Sequence, residues 1–75
     1  MNKERRKQIN ELCNKLRDLS EDLNCILSDE QDCFDSMPEN LQGSEKGCAS
    51  EEAIESLEEA SEQLDDVIES LENMI

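Results

Sequence analysis

From residue 48 to the end the chain repeats one seven-residue unit: CASEEAI, ESLEEAS, EQLDDVI, ESLENMI. A fixed period of this kind decides architecture before any single residue does. With Leu57, Leu64 and Leu71 placed at heptad position a, Ala53, Ala60, Val67 and Met74 fall at d, and Ile54, Ile68 and Ile75 at e. Glu51, Glu52, Glu55, Glu58, Glu59, Glu62, Asp65, Asp66, Glu69 and Glu72 then occupy b, c and f only, and no lysine or arginine shares their face. The spacing predicts a helix over 45–74 that is apolar on one side and carboxylate on the other.

An earlier segment has the same character. Ile9, Leu12, Leu16, Leu19, Leu23 and Ile26 alternate steps of three and four, and Cys33 continues the series after Glu30 interrupts it. This predicts a helix over 3–35 with an a/d seam. Leu27 and Phe34 add e positions, so both helices carry an apolar stripe wider than a two-stranded coil uses. Such a stripe touches two neighbours, which predicts a dimer of hairpins forming a four-helix bundle. Leu57, Leu64, Leu71, Ile54 and Ile68 are the expected self-association residues, because a lone hairpin with an a/d seam would leave the e-position isoleucines in water.

Between the two segments, residues 36–44 break the period. Pro38 disfavours helical geometry at Met37 and can open a new turn itself, while Gly43 offers a positive backbone angle. The expectation is a hairpin corner holding at most one short helical turn. Ser44 can cap the next helix with Glu45 in its first turn, although Gly47 weakens that start and Ser50 before Glu51 and Glu52 is a second one. Two helices of about 45 Å joined by a short corner make an antiparallel pair within a single domain, residues 1–75. Folding back would bring Lys3, Arg5, Arg6 and Lys7 toward Glu69 and Glu72, each group being unfavourable against its own helix dipole.

The corner also carries a likeness. Asp29, Glu30, Gln31, Phe34, Asp35, Pro38, Glu39, Asn40, Leu41, Gln42, Gly43 and Ser44, set between a basic amphipathic start and an acidic ExLEEA-type helix, resemble short acidic helical-hairpin proteins of phages and mobile elements in Gram-positive bacteria. The resemblance implies a phage or prophage origin and brings no assigned activity. Four cysteines are not part of that group's pattern, so a thiol role would be peculiar to this chain.

Charge narrows the partners. The net charge is −14, from 21 acids against 7 bases, and residues 45–75 hold eleven acids with Lys46 as their one base. Direct binding of nucleic acid or an anionic membrane is disfavoured by repulsion, and a basic protein surface is the natural complement. No apolar run reaches the length of a membrane span, and MNKERRKQ leads into a polar amphipathic stretch rather than a signal-peptide block, so a cytoplasmic chain with reduced thiols is expected.

Chemistry is sparse. Cys13, Cys25, Cys33 and Cys48 lack CxxC spacing and the chain has no histidine, so neither a structural zinc site nor an activated cysteine nucleophile is expected. A bridge between Cys33 and Cys48, either side of the corner, is geometrically open to an oxidised sample. Asp29, Glu30, Asp32 and Asp35 crowd one turn, but Phe34 stands where a calcium loop needs glycine and Asn40 where it needs its bidentate acid. No metal, cofactor or catalytic site is expected. Between Glu51 and Glu72 there are eleven like-charge pairs at i+3 or i+4, each costing about 0.2–0.5 kcal/mol. Solubility alone is usually served by alternating Glu with Lys.

Three readings follow. The acidic face binds a basic surface of a host or defence protein, its carboxylates standing in for phosphates. Alternatively the corner, through Phe34, Met37, Pro38 and Leu41, is the contact of an adaptor bundle. The third is a thiol or metal protein.

Overall fold

The computed structural model describes all 75 residues. The chain is all-helical: α1 spans Lys3–Asp35, α2 is a single turn at Glu39–Gln42, and α3 spans Glu45–Glu72. The two long helices pack against each other as a hairpin measuring 58 × 15 × 12 Å. No helix is long and apolar enough to cross a membrane.

Each boundary has a local cause. The Asn2 side chain caps α1 by accepting from the Arg5 backbone N–H at 2.8 Å. After Asp35, the Ser36 N–H still reaches the Asp32 carbonyl at 3.0 Å, and Pro38, in extended geometry, ends the helical path and leads into α2. Ser44, the first of the two starts open to α3, caps it, its hydroxyl accepting from the Gly47 N–H at 3.4 Å. The corner is tied down by Gln42, whose side-chain amide donates to the carbonyls of Phe34 and Met37, both at 3.2 Å.

Glycine plays a different part from the one expected. Gly43 sits at φ −86°, ψ 0°, and no residue in the chain has a positive φ, so the corner turns without the left-handed region. Gly47 is the constrained one. A Cβ there would lie 2.5 Å from the Leu41 carbonyl oxygen and closer still to the Gln42 carbonyl, because α2 rests directly on the first turn of α3. Its hydrogen side chain allows the corner to seat.

The seam is rotated by one position from the expected one. Facing inward on α1 are Ile9, Cys13, Leu16, Ser20, Leu23, Leu27, Glu30 and Phe34; facing them from α3 are Gly47, Ser50, Ile54, Leu57, Ser61, Leu64, Ile68 and Leu71. The a positions therefore remain inside, but they are joined by e rather than d. Leu12, Leu19 and Ile26, expected in the seam, are exposed, as are Ala60, Val67 and Met74. Ile54 and Ile68, expected to be exposed in a lone hairpin, are each only 7% exposed within it. The hairpin itself thus covers these isoleucines and half-buries Leu57, Leu64 and Leu71, the residues expected at a contact between copies.

The polar flank supplies the reason. With e turned inward, every polar bond between the long helices can form: Ser20 to Asp65 at 3.4 Å, Ser61 to Asn24 at 2.9 Å, Ser50 to Glu30 at 2.6 Å, and the ion pair of Arg17 with Glu72. Turning d inward would instead bring Lys15, Asp22 and Asp29 beside Ala49, Ser56, Gln63 and Ser70, which offer no charged complement. Buried Ser20, Ser50 and Ser61 are thereby satisfied, and no buried side-chain donor or acceptor lacks a partner.

Candidate functional site

Carboxylates of α3 form the most distinctive surface. Once e faces inward, Glu51, Glu55, Glu58, Asp65 and Glu72 stand along the polar flank, while Glu52, Glu59, Glu62, Asp66 and Glu69 point away from α1. All are exposed except Glu72, which is half-buried. Asp65 accepts from Ser20 and Glu72 pairs with Arg17; the others have no basic counter-group, since that ion pair is the one salt bridge of the molecule. Ten acids over a rise of about 32 Å give one charge per ~3 Å of axis, against one per ~1.7 Å in duplex DNA.

The basic start of α1 does not reach these acids. Asn24 meets Ser61 and Ser20 meets Asp65, which sets Glu72 level with about residue 13, so about three turns of α1 project beyond the end of α3, and Lys3, Arg5, Arg6 and Lys7 are exposed on that projection without an ion pair. The expected neutralisation by Glu69 and Glu72 fails because the arms are unequal, 33 residues in α1 against 28 in α3, and because the register set at the corner slides α1 further past the end of α3. The chain is consequently bipolar, with a basic overhang at its open end and a dense acidic remainder.

At the corner, the structure divides the expected apolar tip. Phe34 is half-buried and, with Gln31, Glu51, Ile54 and Glu55, lines a shallow dent, closing the end of the hairpin. Met37 is also half-buried, whereas Pro38 and Leu41 face solvent.

All four cysteines are free thiols, Cys13 fully buried and Cys25, Cys33 and Cys48 exposed. No three side chains of His, Cys, Asp or Glu converge in a metal-binding set. Residues that govern the geometry without announcing themselves are Ser20, Ser50, Ser61 and Gly47. Their signal in the sequence is small size recurring at helical steps along one stripe, with Ser20 at e on α1 and Gly47 and Ser61 at e on α3.

Neither a known protein family, nor a curated protein, nor a solved structure matches this chain.

Proposed function

We propose that this chain is a non-enzymatic interaction protein of phage type that works in the bacterial cytoplasm as a bundle of two copies. Its acidic face occupies a basic surface of a host or defence protein, as a nucleic-acid mimic or inhibitor would. The observation that carries the reading is the row of eight unpaired, exposed carboxylates from Glu51 to Glu69 (Asp65 being held by Ser20) on a helix that has no base beyond Lys46. Repulsion along that row costs stability, and a basic groove shaped for a phosphate backbone would relieve it.

Capture from host lysate at low and at high salt tests this. Binding should fall steeply with salt, compete with duplex DNA for the captured protein, and weaken when Glu55, Glu59, Glu62 and Asp66 are changed to their amides. Capture that is indifferent to salt and to those changes would overturn it. One observation favours a second reading, an adaptor docking through its corner: Leu41 is 44% exposed on α2 beside exposed Pro38. Under that reading Leu41→Ala abolishes capture and the amide substitutions leave it intact.

A further inference from the structure

We propose that the uncovered apolar flank of the hairpin is the contact surface for a second copy of the chain, laid antiparallel so that α1 runs against α1 and α3 against α3. The inference rests on the two-copy reading above and extends it by naming the face and the direction.

The face is defined by register. Asn24 meets Ser61 and Ser20 meets Asp65 on the polar flank, which sets Leu12, Leu19 and Ile26 level with Met74, Val67 and Ala60 on the opposite one. Leu19 is 57% exposed, Ile26 56%, Val67 50% and Met74 54%. With Leu12 they lie along one flank over about 21 Å of helix axis, a row rather than scattered surface residues.

Area indicates the size of what covers it. The chain exposes 5671 Å² at a mass of 8.6 kDa, whereas a compact monomer of that mass exposes about 4,700 Å². The surplus of about 1,000 Å² is close to the ~800 Å² each partner contributes to a standard interface. Among apolar residues only Cys13, Ile54 and Ile68 are buried in the single hairpin, a thin core for independent stability.

Charge gives the direction. Residues 1–17 hold six bases and two acids, and residues 18–35 hold seven acids and no base. Antiparallel α1 helices set each basic half beside the partner's acidic half, whereas parallel hairpins would gather both acidic corners at one end. On α3 the outer edge of the stripe is Ala49, Ser56, Gln63 and Ser70, so two α3 helices can approach with no carboxylate between them. A two-fold axis midway between Leu19 and Ile26 seats Leu19 on the partner's Ile26, Leu12 on the partner's Cys33 and Val67 on the partner's Ala60, pairing large with small at the last two. Both carboxylate faces then lie on the same side of the bundle, flanking an uncharged seam.

Sedimentation equilibrium and a spin-label distance test the proposal. The wild-type chain should sediment at twice its monomer mass, and Leu19→Glu and Val67→Glu should each halve that mass while the helical circular dichroism persists, since neither residue belongs to the hairpin seam. With Cys13→Ala, Cys25→Ser and Cys33→Ser, a label on exposed Cys48 should report a separation of about 45 Å for antiparallel hairpins, against under about 25 Å for parallel ones. A wild-type monomer would overturn the two-copy reading and this inference with it. A dimer untouched by both substitutions would overturn the face alone, and a short distance the direction alone.

Discussion

The hydroxyl of Ser50 on α3 donates to Glu30 Oε1 on α1 at 2.6 Å, the shortest of three serine bonds that cross the hairpin. Ser61 to Asn24 follows at 2.9 Å and Ser20 to Asp65 at 3.4 Å. A charged acceptor and short geometry strengthen a hydrogen bond, and leaving a part-buried carboxylate unpaired adds a desolvation cost. Replacement by alanine should therefore destabilise in the order Ser50, Ser61, Ser20, by about 1.5–3, about 1 and under about 0.5 kcal/mol. Thermal denaturation at one fixed protein concentration checks the ranking, and equal shifts at all three would show that the bonds do not set the register.

Gly47 and Gly43 should respond in opposite directions to the same change. Alanine at 47 gains helix propensity of about 1 kcal/mol but drives a methyl into the carbonyls of Leu41 and Gln42, which are backbone and cannot swing aside. A net loss of about 1–3 kcal/mol is expected, with the corner lifting from α3. At Gly43 a Cβ would meet nothing within 4 Å and φ is negative, so alanine should be neutral or stabilise by up to about 1 kcal/mol through the unfolded chain. Urea midpoints of the two variants measure the contrast.

Thiol reactivity follows burial. Cys25 and Cys48 stand on the solvent side of their helices and should react with a disulfide reagent in the folded state, whereas Cys13, at 0% exposure, should react only as the hairpin opens. Mass spectrometry after timed labelling resolves the sites. Early modification of Cys13 would mean that the α1–α3 seam is looser than its packing indicates.

The helical hairpin was legible from apolar period alone, because three- and four-residue steps on both sides of a Pro- and Gly-containing break leave few other folds. The rotation of the seam was less so. A stripe three positions wide fits two neighbouring seams, and hydrophobicity favours burying Leu12, Leu19 and Ile26. The choice went to Cys13, Ser20 and Leu27 because that rotation sets Arg17, Asn24 and Glu30 against complementary groups on α3, a pairwise matter that a one-helix pattern does not display. The carboxylate row was evident from composition and spacing. The projection of Lys3, Arg5, Arg6 and Lys7 past its end was not, since it depends on how the corner sets the register of the two arms.

Stability and binding should separate at Glu62. It stands three or four residues from Glu58, Glu59, Asp65 and Asp66, so four of the like-charge contacts on α3 pass through it. Glu62→Lys turns each repulsion into an attraction, and the lysine follows Glu58 at i+4, the more favourable order for such a pair. At about 0.2–0.5 kcal/mol per contact in each direction, the variant should be roughly 1.5–4 kcal/mol more stable at low salt, with the gain shrinking as salt is added. Capture of a basic partner should weaken in the same variant, because a positive charge now sits in the middle of the row. A residue kept only to make the surface soluble would show the first effect without the second. Thermal denaturation and capture measured side by side on this one substitution thus distinguish a working acidic face from a merely solvated one.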